Sequence, residues 1–300
     1  MKNPIQLSFS LFLIAAFVLS SGCEDFISDS NPTQHTIKAP FVPEGADDGF
    51  IGCQYTFIAV VEGATCSFGH PITMFKFDWG DGTETEWESG SQSHIYENTA
   101  DYQISVMCRC SEGLESDWSP FKEFGVWERD TLVCTADAYV CEALPDSNFG
   151  GADSLVVGNI SGKFFLLIDF ATETLQEDIE IFSSSLHLYS ESGGMNTPFA
   201  IRIGWITDDW SEMTVNWNQL VNGYYYIAHT WQLNTTSGWT KLECADEVKS
   251  IIAQNIHKGL TLFNYELTGI DFYKSFVSRE SANGVFLEIG WRPVNTDTLP

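Results

Sequence analysis

Short runs in which apolar and polar residues alternate, each closed by a turn, constrain this chain more than any other feature. Across residues 55–61, Tyr55, Phe57, Ala59 and Val61 share one face; across 102–106, Tyr102, Ile104 and Val106 do the same. A period of two belongs to a strand with one face buried, and such runs separated by turns predict the antiparallel strands of a sandwich. Phe75-Lys76-Phe77-Asp78-Trp79 runs straight into Gly80-Asp81-Gly82, where glycine permits the backbone angles of a tight turn.

The second half repeats the pattern with different accents. Phe164 through Phe170 is a nearly unbroken apolar run, the mark of a strand buried on both faces. Residues 185–189, 199–205 and 285–289 alternate. Between them the period changes: Leu242, Ala245, Val248, Ile251, Ile252 and Ile256 fall at helical spacing, and Gly259 follows as a stop. Many short strands and one helix within residues 132–292 predict a two-sheet jelly roll. At 44% hydrophobic and 14% aromatic residues the chain can fill such cores.

Two families are resembled. Trp79-Gly80-Asp81-Gly82, His94-Ile95-Tyr96, the strand 101–106 and Ser116-Asp117-Trp118-Ser119 resemble, in order, the landmarks of a PKD-type immunoglobulin-like domain, with a proline-containing lead-in at Ala39 to Gly45 and Ala100 where that family has Gly. The resemblance implies a seven-stranded sandwich acting as spacer or interaction module. Ala136 to Val140, Ser147-Asn148-Phe149-Gly150, Ser184 to Tyr189, the run W-x-E-x-x-V-x-W-N from Trp210 to Asn218, and Ser278-Arg279-Glu280 resemble the DNRLRE (disaggregatase-related) domain, which overlaps carbohydrate-binding module family 96. Leu167 stands where that family usually has Arg. This second resemblance implies a jelly roll and glycan binding. The expected fold class is therefore all-β: an immunoglobulin-like β-sandwich over 40–128, then a carbohydrate-binding-like jelly roll over 132–292 with one short helix, and a tail from 293 to 300.

The first residues carry an address. An apolar run from Leu11 ends in Leu19-Ser20-Ser21-Gly22-Cys23, which resembles the lipobox of bacterial lipoproteins, although Ser20 replaces the usual Leu. The implied reading is a signal peptide over 1–22, acylation at Cys23, and a flexible polar tether over 23–39. Localisation would be the cell envelope, lipid-anchored at the outer membrane or cell surface, with the membrane as partner through the lipid. The formal charge of −27, from 41 acidic against 14 basic residues, excludes nucleic acid as a partner.

Without Cys23, the chain's 8 cysteines leave an odd number. An exported chain favours disulfides. Cys66 with Cys108 or Cys110 suits the strand ends of the first sandwich, and Cys141 with Cys244 is a further candidate. Cys108-Arg109-Cys110 is CxC, without the paired CxxC or HxxxH of a zinc site.

Catalytic motifs are missing. There is no GxSxG, HExxH or phosphate-cradling glycine loop. Asp208, Asp209 and Glu212 beside Trp210 offer carboxylates of the kind glycosidases use, but in the resembled family Trp210 and Glu212 recur in members without hydrolase activity, so they read as loop builders. Asp78, Asp81 and Glu84 lack EF-hand spacing and read as a turn. Trp210 and Trp217 read as packing. Three consecutive tyrosines, Tyr224-Tyr225-Tyr226, cannot all face one core if extended. With Trp231, Trp239 and Trp205 they are the candidate sugar-stacking residues, core packing being the other reading. Asp137, Asn148 and Asp153 bracket a glycine turn and could hold a structural calcium; no cofactor is otherwise expected. The expected partner is a polysaccharide or cell-surface glycan, bound without catalysis. The alternatives are a structural or protein-binding envelope lipoprotein and, behind both, a polysaccharide-degrading enzyme.

Overall fold

The computed structural model describes residues 35–172, 175, 178–191, 198–220, 224–226, 230–253, 258–264 and 271–294. The first sandwich pairs β2 (Gln54–Ile58) with β4 (Ser91–Ile95) in one sheet. Its other sheet runs β3 (Ile72–Asp78), β5 (Ala100–Cys110), the start of β6 (Lys122–Cys141) and β1 (Asp48–Phe50), the last pair parallel. Phe57, Phe77, Ile104, Val106, Phe124 and Val126 fill the space between, all fully buried. Val61 departs from its expected face. Ala59 N–H still bonds Gly90 O (2.7 Å), but Ala64 N–H then returns to Val61 O (2.8 Å). That closes a 3₁₀ turn, Val61–Gly63, and leaves Val61 exposed.

The W-G-D-G and H-x-Y residues form one cluster. The Trp79 and His94 rings stack at 5.0 Å and 5°, His94 Nε2 sits 2.7 Å from Asp81 Oδ2, and the Tyr96 hydroxyl donates to Trp79 O. Burial raises the Asp81 carboxyl, but the Thr83 and His94 hydrogen bonds outweigh it and hold the group below its ordinary range. Tyr102 donates its hydroxyl to Asn98 O (2.9 Å), the tyrosine corner of immunoglobulin-like sandwiches.

The segment expected to be a free tether up to residue 39 is already attached. Ile37 bridges Cys66, and Lys38 N–H bonds Thr65 O (2.9 Å), because Ile37 packs on the first core.

Residues 129–131, expected between the two units, lie inside β6 instead. This strand of 20 residues would span about 66 Å if straight. Its first third pairs with β1 and β5, its middle with β16 (Phe286–Pro293), its end with β8 (Lys163–Phe170). Side chains reinforce the join. Phe182 stacks on Trp127 at 4.7 Å, the Arg292 guanidinium lies 4.2 Å over the same ring, and Arg292 bonds Asp101 and Glu180.

The second sandwich has β6 in both of its sheets. One is β6, β16, β9 (Ile179–Ser190) and β13 (Gly238–Glu243). The other is β6, β8, β14 (Leu260–Phe263), β10 (Phe199–Ile206) and β11 (Tyr224–Tyr226). β7 (Ser154–Asn159) and β15 (Phe272–Val277) extend it beside β8, and β12 (Trp231–Leu233) pairs with β10. Leu166, Ile168, Leu186, Leu188, Ile203 and Ile289 build the core between them. The helix begins later than its spacing suggested. Leu242 lies on β13 opposite Leu186, and α2 runs Ala245–Ala253, burying Val248 and Ile251; Ile256 lies outside the described residues. A single-turn helix, α1 (Trp217–Leu220), adds to the one expected.

Gly80 has φ +77°, and a Cβ there would lie 2.7 Å from the backbone of Gln103. Gly80→Ala is expected to cost about 1–3 kcal/mol for the left-handed backbone alone, read as a lower urea midpoint. An unchanged midpoint would show that the turn is not strained by a side chain.

Candidate functional site

The two sheets of the second sandwich have different outer faces. Across β6, β8, β14 and β10, the outer face is roofed: Ala138, Val140, Phe165, Leu167, Ile206 and Phe263 pack against Val215, Leu220, Trp210 and Trp217 in a second layer of core. That is why residues 165–168 are all buried and why the run reads as unbroken in sequence.

Every residue of the W-x-E-x-x-V-x-W-N signature holds that roof. Trp210 donates Nε1–H to Lys258 O (2.7 Å), Val215 is buried, Trp217 meets Phe165 edge-on at 5.0 Å, and Asn218 donates to Asp146. Glu212 is the clamp. Arg279 donates Nε and Nη2 to its two oxygens, each at 2.9 Å, and Asp137 N–H adds a third bond at 3.0 Å. Burial alone would raise the Glu212 carboxyl; these bonds and the guanidinium charge overcome it and lower the pKa. Gly150 lets the roof approach, since a Cβ there would sit 1.8 Å from Glu212 O.

The calcium candidates are used otherwise. Asp137 accepts Arg279 N–H on Oδ2 (2.6 Å); Asn148 spends both amide hydrogens on Glu212 O and Val215 O, and its oxygen accepts Gly150 N–H. Asp153 is exposed and offers its backbone carbonyl to Ser278 N–H. Among the described residues, none of the three joins a cluster of acidic, His or Cys ligand atoms close enough for an ion. The neighbouring positive charge is Arg279.

The other outer face, over β6, β16, β9 and β13, is open. Strand register lays out its side chains. Val133, Phe286, His187 and Lys241 form one row across all four strands; Tyr189 and Trp239 form the next; Thr131, Glu288, Ser185 and Glu243 form a third. Phe286 and His187 stack at 4.4 Å and 9°, Trp239 meets Phe286 at 5.4 Å and Tyr189 at 5.2 Å. Trp239 is 49% exposed and Val133 62%. Four strands at the usual spacing make this platform about 14 Å wide. Its polar edge is preset: Ser185 donates to Glu243 (2.8 Å) and Lys241 pairs with the same carboxylate (2.9 Å). Burial raises the Glu243 carboxyl, yet the Lys241 and Ser185 bonds leave it below the ordinary range. Burial lowers the His187 pKa below the ordinary imidazole value, against the pull of Glu288. Lys274, itself buried, holds the chain leading into β13 by three bonds to Asn234 and Thr236.

Of the aromatic candidates from sequence, Trp239 stands on this platform. Trp205 and Trp231 lie on β10 and β12 and pack, half-buried, against the main core. The backbone of Tyr224 to Tyr226 pairs with β10 at the far edge of the roofed sheet. His187, Tyr189 and Phe286 went unnoticed in sequence, although the alternation of 185–189 and 285–289 places them on the face away from the core. Cys108 is buried in the first core, Cys141 ends β6, and Cys244 lies 3.5 Å from Ser184 Oγ. The seven cysteines among the described residues are free thiols; Cys23 lies outside those residues. A cleft of about 440 Å³ in the first unit is lined by Asp47, Asp48, Asp101 and Glu123, but Lys122, Trp127 and Arg292 already bond three of these carboxylates.

A sandwich with one face sealed and the other carrying open rings has the build of a carbohydrate-binding module. The model of carbohydrate-binding module family 96 matches residues 128–289, more than half of the chain, and the chain belongs to that family. Among solved structures it is similar to the PKD domain of an M14-like peptidase from a Thermoplasmatales archaeon (27% identity, 29% of this chain, 95% of that chain, TM-score 0.25). A second similar structure comes from work on the promiscuous specificity of β-sandwich carbohydrate-binding modules (13% identity, 86% and 98% covered, TM-score 0.36). A third is Bacteroides ovatus SGBP-B of a mixed-linkage glucan utilization locus, in complex with a mixed-linkage heptasaccharide (11% identity, 83% and 53% covered, TM-score 0.34). No curated protein matches the chain.

Burial pushes the Asp137 carboxyl up to about 6, Glu280 and Glu212 adding to the rise and the Arg279 N–H opposing it. Unfolded aspartate titrates near about 3.9. Between these values the folded state holds the proton more tightly, so this group's contribution to stability falls as pH rises. Relative to Asp137→Asn, the natural protein is expected to gain melting temperature as pH is lowered from 7 to 4. Parallel melting curves for the two would contradict that assignment.

Proposed function

We propose that this protein is a lipid-anchored cell-surface module that binds a neutral polysaccharide without cleaving it, on the platform of Trp239, Phe286, His187 and Tyr189. The exposure of Trp239 within a row-ordered aromatic face carries the reading. Sugar rings present apolar C–H faces that stack on aromatic rings, while Lys241 in the row of Phe286 and His187, and Glu243 and Glu288 in the adjoining row, stand to meet hydroxyls. A formal charge of −27 favours neutral over acidic glycans. Family membership supports binding as the activity. Acylation at Cys23 and a cell-envelope location rest on the leader sequence; no helix among the described residues is long and apolar enough to cross a membrane. Many tethered copies would turn a weak site into firm retention through effective concentration.

Glu212, the best carboxylate for a hydrolase, is bonded on both oxygens to Arg279, which favours binding over catalysis. Glu212→Gln is expected to lower stability by about 1.5–3 kcal/mol, the worth of hydrogen bonds to a charged group. Reducing-end release from a glycan that vanished in this variant, with the fold intact, would reverse the reading.

Affinity electrophoresis of the full chain against neutral and acidic polysaccharides tests the site. Retardation by a neutral glycan is expected. Trp239→Ala and Phe286→Ala should each weaken it by roughly 30-fold, the cost of about 2 kcal/mol for losing a central aromatic anchor, with melting temperature nearly unchanged for Trp239→Ala. Trp205→Ala should cost stability and spare binding. Retardation lost with Trp205 and kept without Trp239 would move the site to β10. No retardation by any glycan would favour a protein-binding lipoprotein.

A further inference from the structure

Spacing along the chain does not suggest a metal site, yet folding brings three side chains able to ligate a metal together in the first sandwich. His35, Cys66 and Cys110 bring one ligand atom each within 4.8 Å of the others, and His35 Nε2 lies 2.9 Å from Cys66 Sγ. Three separate segments supply them, and backbone bonds hold each in place. Thr36 N–H donates to Ser67 Oγ and Ser67 N–H to Thr36 O, which sets His35 beside Cys66. Gly69 N–H returns to Cys66 O in a turn that brings His70 back toward the cluster. Ser111 N–H bonds Pro71 O and Cys110 N–H bonds Leu114 O, fixing the end of β5 against that turn.

We propose that His35, Cys66 and Cys110 bind a borderline-soft divalent cation of the zinc type, with the fourth tetrahedral position left to His70 or a water molecule. Metal–sulfur bonds of about 2.3 Å and metal–nitrogen bonds of about 2.0–2.1 Å put tetrahedral donor atoms about 3.4–3.8 Å apart, inside the observed spread. Two imidazoles on such a centre would have ring centroids about 5 Å apart; those of His35 and His70 are 5.3 Å apart. Cys110 is buried and Cys66 and His35 half-buried, and the Phe68 ring stands edge-on 4.7 Å from His35, so water is partly excluded. As the two sulfur–metal bonds form, two thiol protons leave to solvent, and two thiolates neutralise the dication. The cation would bind the segment leading from residue 35 to the body of the sandwich. A disulfide between Cys66 and Cys110 would consume the same two sulfurs, so the two outcomes exclude each other.

The full chain, reduced and kept free of oxygen, is titrated with Co²⁺ as the probe. The expected result is one equivalent bound with thiolate-to-cobalt charge transfer and tetrahedral d–d bands, both abolished by added Zn²⁺. Cys66→Ser and Cys110→Ser should each lose about half of the charge-transfer intensity or more, since each removes one of two thiolates. His35→Ala should weaken Zn²⁺ by more than the roughly 10-fold that losing an outer-shell partner costs. Cys53→Ser, an exposed thiol outside the cluster, should retain full binding. Cys110 is buried, so Cys66→Ser carries the test if Cys110→Ser fails to fold. Charge-transfer bands that keep their full intensity in Cys66→Ser, or cobalt bound without any such bands, would overturn the proposal. So would alkylation and mass mapping that find Cys66 joined to Cys110 in protein isolated without reductant.

Discussion

The bidentate pair between Glu212 and Arg279 decides which face of the second sandwich is open. It ties the 210–218 segment to the chain just after β15, and Asp137 N–H adds a bond from the middle of the sheet. With the segment held, Trp210, Val215 and Trp217 cover the outer side of β8 and its neighbours. Two aromatic rings and a valine would otherwise leave a broad apolar surface in water, at roughly 1.5–3 kcal/mol for each large side chain. The clamp is half-buried, and a carboxylate in that position needs its bonds to offset desolvation. Three donors to Glu212 meet that need. Asp137 is the residue less well served: Oδ1 has no partner, and burial, with Glu280 and Glu212 nearby, raises the group's pKa.

With one sheet roofed, the rings of Trp239, Phe286, His187 and Tyr189 stand on the outer face of the other. The platform is made by strand register: three strands each contribute an outward aromatic where the ladder sets them side by side. Rings presented on sheet strands keep their spacing, because ladder hydrogen bonds and the core beneath hold each backbone position. Little ordering entropy then remains to be lost on binding, which suits a site that gains its energy from a few stacked rings.

The shared strand gives the platform a fixed bearing on the first sandwich. A flexible linker would let the two units reorient. Here β6 enters both, and Trp127 is sandwiched between Phe182 and the Arg292 guanidinium at the join. At this junction the β16–β9 ladder shifts register between Gly290 and Trp291, and the Phe50 ring closes over Gly290.

Much of this was legible in the residues alone. Alternation revealed the strands, the unbroken run at 164–170 revealed a strand covered on both sides, and the tryptophan signature marked a loop with a structural task. Those signals are local, because a strand's burial is written in every second or every consecutive residue. Tertiary structure alone decided the rest. Phe286 and His187 are 99 positions apart in sequence and become neighbours only through register. Trp205 and Trp239 look alike as tryptophans on strands, and only the packing of whole sheets puts one against the core and the other in solvent. The continuity of β6 was hidden because its exposed residues, Arg129 to Thr131, look like a linker until β16 pairs with them directly after β1 and β5 leave off. His35, Cys66 and Cys110 share no motif spacing, since a cluster closed by three segments leaves no periodic trace in any of them. Sequence determines what each residue can bury; long-range contact determines where the uncovered chemistry ends up.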